Sequence, residues 1–351
     1  MTDPVLLAGI LALPEMLAVF GLSGTPDRLP GRLAGGARAG IDREGWPTLV
    51  AGQGFVAAMR VVPNAALVRY ATVMGLAARD GILGLGDGRA EGEPHVALAA
   101  AVARHVLAAP ADRPADSIAA RLPMIGVLAA SELRGADSLP SGGPLVALRE
   151  PCDVQMLAQD QAFAGFFAVQ VCQLRHRTHA GGMTPLLRRE ALVSGDAVVV
   201  LPWDPVRDRV LLIEQFRLAP VLRHDPQPWL LETVAGRVDA GETVDDAARR
   251  EAMEEANLIV TRLFPAIHHY PSPGTLGEYL YLYVGIADLP DGIEGVHGLE
   301  SEAEDIRGHL IQRADLTGMA MAGQLTNGPL AMIALWLELR RDAIRADLGM
   351  A

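Results

Sequence analysis

The sequence predicts a protein of the α/β (α+β) class in two domains, on three observations. The chain has 351 residues, more than one core of ordinary size takes in. Half of the residues are hydrophobic, enough to give each domain its own core. Beyond about residue 150 strand-like runs alternate with helical patterns, whereas residues 1–140 are rich in Ala, Gly and Leu and poor in charge pairs. The join lies at "RGADSLPSGGP" (134–144), which has the Ser, Pro and Gly content of a linker.

The opening run "VLLAGILALPEMLAVFGL" is apolar enough to suggest a membrane span or a leader. No basic residue precedes it, Asp3 does, and Pro14 and Glu15 interrupt it; a span needs roughly 20 apolar residues. The run predicts a buried strand and then a helix from about Pro14. In the second half, "AVVVLPWDPVRDRVLLIEQFR" (197–217) reads as strand, turn and strand, with Asp204, Pro205 and Asp208 as turn formers. "EYLYLYVGIA" (278–287) reads as a further strand, and "NGPLAMIALWLELRRDAIRADL" (327–348) as an amphipathic helix capped by Asn327. A mixed sheet with a few helices follows, an α/β sandwich. Trp229 is expected in its core.

Lys and Arg total 30 against 42 Asp and Glu, a net charge of −12. That balance argues against nucleic acid or an anionic membrane as partner and suits a divalent cation. Cys152 and Cys172 form neither a disulfide framework nor a zinc pattern, so a reducing cytoplasm is expected.

The chemistry concentrates in "GRVDAGETVDDAARREAMEEANL" (236–258). Val244, Ala248, Glu251, Glu255 and Leu258 follow one face of a helix. Thr243 is placed to cap it, with Asp246 three residues on, and Asn257 suits the left-handed position that closes it. Apolar residues bound that face, yet two glutamates four apart occupy its middle. Like charges at that spacing repel, and burial raises the cost. A divalent cation such as Mg²⁺ relieves both problems. The preceding "LETVAGRVDAGE" runs from a strand into a Gly-containing loop, which brings backbone amides and carbonyls close to a phosphate or a metal. A lone E-x-x-x-E is ordinary solvated helix surface. Here Gly236, Glu242, Arg250, Glu251, Glu254 and Glu255 together form G-x5-E-x7-R-E-x-x-E-E across 20 positions.

That pattern resembles the Nudix box of the Nudix hydrolases. Ala252 and Asn257 stand where the family pattern has an aliphatic residue and a glycine, and every acidic position is kept. Over roughly 150–345, "FAGFFAVQVCQLRHR", "LPWDPVRDRVLLIEQFR", "WLLETVAGRVDAGE", "SPGTLGE" and "HGLESEAEDIR" resemble, in the same order, the bacterial ADP-ribose pyrophosphatases. The resemblance implies a Nudix α/β/α sandwich over 151–351, joined by a 141–150 linker to the first domain. It implies hydrolysis of ADP-ribose to AMP and ribose 5-phosphate with Mg²⁺ (or Mn²⁺), two or three ions per site. It also implies a homodimer whose sites draw on both subunits.

Carried over residue by residue, Glu251, Glu255, Glu304 and the carbonyl of Ala235 would ligate metal. Glu302 would be the general base, and Glu254 would act through the metal shell. Phe166 and Phe167 would lie against adenine. Arg189, Glu190 and Arg217 would contact the nucleotide or ribose, and Pro273, Gly274 and Glu278 would line the substrate loop. The chemistry is coherent without the family. Ions neutralise the charge of a pyrophosphate, and a carboxylate in the Gly- and acid-rich loop 291–305 takes a proton from water. His268 and His269 are expected to pack at a strand end rather than bind metal.

Two alternatives stay open: hydrolysis of another nucleotide-sugar diphosphate such as GDP-mannose, and a sensor that binds ADP-ribose without cleaving it. The run Thr275–Tyr279 departs from the nearest family pattern, which weakens the choice of sugar nucleotide.

Residues 1–140 resemble the γ-glutamylcyclotransferase-like (AIG2-like) fold, which implies a small mixed β-barrel with helices. The substrate loop of that fold reads Ala8-Gly9-Ile10-Leu11 here, and Ala71 stands at the position of its catalytic Glu. An apolar side chain transfers no proton, so this domain is expected to be inactive. The two-domain layout is similar to that of tellurite-resistance Nudix proteins.

Overall fold

The opening apolar run is divided by its own breakers. In the computed structural model, which describes residues 3–139, 143–298 and 305–350, strand β1 (Val5–Ala8) is buried throughout. Helix α1 (Pro14–Phe20) follows, with Pro14 in its first turn, where a missing N–H leaves no bond unmade, and Gly21 closing it at φ 61°. Among the described residues no helix is long and apolar enough to cross a membrane.

By packing, the chain divides into two units, Met1–Ser194 with Asp239–Gly241, and Gly195–Val238 with Glu242–Ala351. In the first, β2 (Thr25–Ala34) and β3 (Thr48–Val61) form an antiparallel hairpin beside β1. Helix α2 (Ala65–Val73) is capped by Asn64, whose side chain accepts the Leu67 N–H at 3.0 Å. Strand β4 (Ile82–Leu83) lies parallel to β1, giving the order β2-β3-β1-β4. Helices α3 (Val96–Ala108), α4 (Ala115–Ala119) and α5 (Leu122–Ala136) complete a core around Leu7, Met16, Trp46, Tyr70 and Val102. The start of the stretch read as a linker, residues 134–136, is the last turn of α5.

Strands β5 (Val154–Ala164), β6 (Ala168–His176) and β7 (Leu187–Val193) form an antiparallel meander. The Arg121 guanidinium donates to the Gly165 carbonyl at 2.7 Å and ties its first turn to the helices. The sequence boundary at 141–150 and the packing boundary at 194 thus bracket these three strands.

The second unit is built on β8 (Ala197–Asp204) and β9 (Arg209–Phe216), the expected hairpin. Asp204 accepts the N–H groups of Val206 and Arg207 at 2.9 and 3.1 Å, and Asp208 takes the left-handed conformation at φ 51°. After α6 (Leu218–Leu222) come β10 (Trp229–Glu232), beside β9, and β11 (Val234–Arg237), beside β8. Helix α7 (Val244–Ala256), β12 (Arg262–Pro265), β13 (Leu276–Gly277), β14 (Leu280–Ile286), β15 (Val296–His297), β16 (Ile306–Gln312), α8 (Arg313–Met321) and α9 (Gly328–Asp347) follow. The central path of the sheet is β12-β14-β8-β9-β16-β15, with β14 parallel to β8.

Helices cover both faces of this sheet, so its central strands read as unbroken apolar runs. Val199, Leu201, Trp203 and Leu212 face Leu316 of α8 and Ile333 and Leu337 of α9. Val198, Val200, Leu211 and Ile213 face Ala247, Ala248 and Ala252 of α7. The layering is α/β/α. Trp229, expected in the core, is instead 48% exposed where β10 begins off the main path of the sheet, its ring 5.6 Å from that of Phe216.

The caps of α7 and α9 follow the sequence. Asn327 accepts the Leu330 N–H at 2.9 Å, and Thr243 accepts the Asp246 N–H at 3.1 Å. Asp246 in turn accepts the Thr243 hydroxyl at 2.6 Å. Asn257 closes α7 at φ 50°. A left-handed residue with a branched side chain costs on the order of 1–2 kcal/mol. Asn257→Val is therefore expected to lower unfolding stability by about that amount, and Asn257→Gly to preserve it, as read by thermal and urea denaturation.

Candidate active site

The site is built where β11 hands the chain to the loop before α7. Helix α7 buries Ala247, Ala248, Ala252 and Ala256 against the sheet. Side chains this small bring the helix close, and the same face carries Glu251 and Glu255, only 9% and 3% exposed. Gly236 makes the close approach possible: a Cβ there would fall 2.0 Å from the carboxyl carbon of Glu251. Glu255 Oε2 accepts the Ala235 N–H at 2.8 Å. Ala235, Glu251 and Glu255, expected together from sequence, are brought together by β11 and α7.

Arg250 holds this arrangement. Its Nε and Nη2 donate to the two carboxylate oxygens of Glu242 at 3.0 and 2.9 Å, a bidentate pair. Its Nη1 donates to Glu251 at 2.7 Å and Glu254 at 2.9 Å, and Nη2 also reaches the Arg237 carbonyl at 2.9 Å. The hydrogen bonds from Glu242 push the guanidinium well above the ordinary arginine range; burial opposes this, and Glu251 and Glu254 reinforce it. One cation thus ties the glycine loop to the helix and offsets the repulsion among three carboxylates. Glu254, expected near the metal shell, is engaged by Arg250.

Arg217 makes a second bidentate pair, its Nε and Nη2 donating to buried Glu232 at 3.0 and 2.7 Å. Half-buried Arg237 lies in the same field. Burial lowers its pKa, Glu278 and Glu251 raise it, and Arg217 lowers it. Pro273 and Gly274 occupy an exposed turn closed by Thr275 N–H to Ser272 carbonyl at 3.0 Å. His268 packs between Tyr281 and Tyr283 and accepts the Leu282 N–H at 3.1 Å, a strand-side role as expected; burial depresses its pKa, helped by His269 and opposed by Asp245.

Phe166 and Phe167 lie in the first unit, at the β5–β6 turn, edge to face with ring centroids 5.1 Å apart and both exposed. Arg189 and Glu190 are exposed on β7, where Arg188 pairs with Glu190. Glu302 and Glu304 lie outside the described residues. Sequence reasoning missed Arg237 and Glu232. Arg237 is hidden among the unspecified positions of the glycine loop. Glu232 gave one usable signal, an acid at the end of the apolar run "WLLE" with an arginine just after the preceding strand.

Among the described residues no three His, Cys, Asp or Glu side chains cluster to hold an ion. Mg²⁺ does not need three, since it is commonly held by one or two carboxylates with water and substrate oxygens. Two buried carboxylates beside the Ala235 peptide and facing a side-chain-free glycine fit that donor set.

The NUDIX domain model matches residues 193–328. The ADP-ribose pyrophosphatase of Escherichia coli (strain K12) is 42% identical over 195 residues, which cover 56% of this chain and 92% of that protein. This chain belongs to the Nudix family. The ADP-ribose pyrophosphatase of Haemophilus influenzae is 36% identical to this Nudix protein over 53% of this chain and 87% of its own length. The GDP-mannose pyrophosphatase of Enterobacter sp. (strain 638) is 28% identical over 43% and 78%. A solved structure described as "Crystal structure of ADP compounds hydrolase" aligns with TM-score 0.41 at 19% identity over 54% of this chain and 96% of that one.

The end of a Glu side chain is free to move, so a methyl at position 236 is expected to displace the Glu251 carboxylate rather than unfold the domain. Gly236→Ala should leave the circular dichroism spectrum unchanged and weaken Mn²⁺ binding by about tenfold or more, read by electron paramagnetic resonance.

Proposed function

We propose that this Nudix protein hydrolyses ADP-ribose to AMP and ribose 5-phosphate with Mg²⁺, for which Mn²⁺ can substitute, held by Glu251, Glu255 and the Ala235 carbonyl, with Glu304 as a further ligand. The observation that carries this reading is the buried Glu251–Glu255 pair opposite Gly236, in a chain 42% identical over 92% of an ADP-ribose pyrophosphatase. When bound, the ions would neutralise the pyrophosphate charge and lower the pKa of water beside it. Glu302 would accept a proton from the attacking water, whose oxygen bonds to phosphorus as the bridging P–O bond breaks. Arg250 keeps Glu251 in position, and Glu254 supports it through the same guanidinium. Arg217, held straight by Glu232, presents cationic donors to the nucleotide with Arg189 and Glu190. Phe166 and Phe167 offer ring faces for adenine, and Pro273, Gly274 and Glu278 bound the ribose phosphate. The pair of free thiols supports a cytoplasmic setting.

GDP-mannose is the second reading, favoured by the departure at Thr275–Tyr279 and by relatives that are more distant. The test is a panel of ADP-ribose, ADP-glucose, GDP-mannose and NADH with Mg²⁺, following nucleotide and sugar phosphate release. ADP-ribose is expected to turn over fastest, and Glu255→Gln to lower its rate by about 100-fold or more with the fold intact. Faster GDP-mannose turnover would displace the reading, and turnover of none would make the protein a sensor.

A homodimer is supported by the strands β5–β7. Val154, Met156, Leu157 and Phe163 are exposed on β5, and Leu186 is exposed just before β7. These side chains leave apolar surface open. A second copy would cover it. Light scattering is expected to give a dimer mass, and Leu157→Asp to shift it toward monomer; a monomeric wild type at micromolar concentration would refute the dimer.

Residues 1–140 are read as an inactive γ-glutamylcyclotransferase-like domain that serves packing or assembly. Ala71 is buried on α2, and Gly9–Ala12 forms a short 3₁₀ turn without an acidic side chain.

A further inference from the structure

The sheet of the second unit has a back. On the face away from α7 lies a cavity of about 770 Å³, roofed by α6, the segment after it and the turn after α8. That volume is within the usual span for small-molecule sites, roughly 300–1,000 Å³. Its floor comes from one side of adjacent strands: Leu212 and Glu214 of β9, Leu231 of β10 and His309 of β16. Leu231 stands opposite Glu214, and Trp229 opposite Phe216, so the half-exposed indole opens onto the same face. Glu214 and His309 are joined, Oε2 to Nε2, at 2.7 Å, and both are only partly buried. At the rim Arg223 pairs with Asp225 at 2.6 Å.

A joined carboxylate and imidazole lie on the floor of this largely apolar bay. Together they offer an acceptor and a ring nitrogen to one flat ligand edge. An indole at the wall offers a stacking face, and a guanidinium at the mouth offers donors to an anion. The residues of the box site point the other way: on β10 Glu232, which Arg217 grips, is on the opposite side of the pleat from Leu231 and Glu214.

We propose that this cavity is a second small-molecule site, separate from the box, that takes an amino-purine nucleoside monophosphate, its base on Trp229, its amino edge on Glu214 and His309, and its phosphate at Arg223. The proposal does not rest on the activity proposed above.

The test uses the full chain with a metal chelator present and AMP as the probe, following tryptophan fluorescence and, in parallel, binding by calorimetry. Saturable quenching is expected, absent in Trp229→Phe and weakened about tenfold or more in Glu214→Gln and His309→Gln, the usual scale for losing one good hydrogen bond to a charged group. Without added AMP the same variants should keep wild-type circular dichroism. No saturable quenching, quenching that persists in Trp229→Phe, or equal affinity in Glu214→Gln and wild type would overturn the proposal. A second copy of the chain seated over the cavity would appear as the first of these outcomes and counts against it.

Discussion

Two carboxylates sit on the side of a helix that faces the sheet, and the rest of the second unit is arranged to tolerate them. Glu251 and Glu255 are buried along with the alanines around them. An unpaired buried carboxylate costs several kcal/mol, so the neighbourhood must supply compensation. It does so with a backbone amide at Ala235, a guanidinium at Arg250 and the missing side chain at Gly236. Of these partners Arg250 is the one a close analogue cannot replace. Lysine has no planar fork with which to grip Glu242 and Glu251 at once. The box is therefore best understood as one electrostatic unit in which loop, strand and helix are mutually dependent.

The sheet beneath it works as a two-sided board. Because successive side chains on a strand alternate, β9 and β10 place Leu212, Glu214 and Leu231 on one side and Ile213 and Glu232 on the other. Helices cover both sides of the centre of the sheet, but the cover thins where β10 begins, and there Trp229 and the Glu214–His309 pair come to the surface.

Much of this was legible in the sequence, for identifiable reasons. The strand–turn–strand of 197–217 and the caps at Thr243, Asn257 and Asn327 rest on local chemistry, and each formed as read. The Glu251–Glu255 pair was legible because two acids broke an apolar stripe. Trp229 was misread because hydrophobicity says nothing about where a sheet loses its cover. Arg237 and Glu232 went unread because their meaning lies in partners far along the chain: Glu232 is 15 residues from Arg217. The last turn of α5 reads as linker because Gly135 is a poor helix former and the Ser-, Pro- and Gly-rich run to Pro144 follows it directly.

Strand β5 is eleven residues long and exposed along nearly its whole length. It also ends the meander, so among the described residues its outer row of peptide groups has no strand to pair with in that sheet. Natural proteins usually blunt such a border with lysine, proline or a sharp bulge. Here Asp160 is the only formal charge in the segment, set among Val154, Met156, Leu157 and Phe163. The register does slip twice against β6, which bends the ribbon without closing it. A newly made chain thus carries a sticky border until something docks there. Recombinant production at high temperature or high expression rate would favour inclusion bodies, and slow synthesis would favour soluble material.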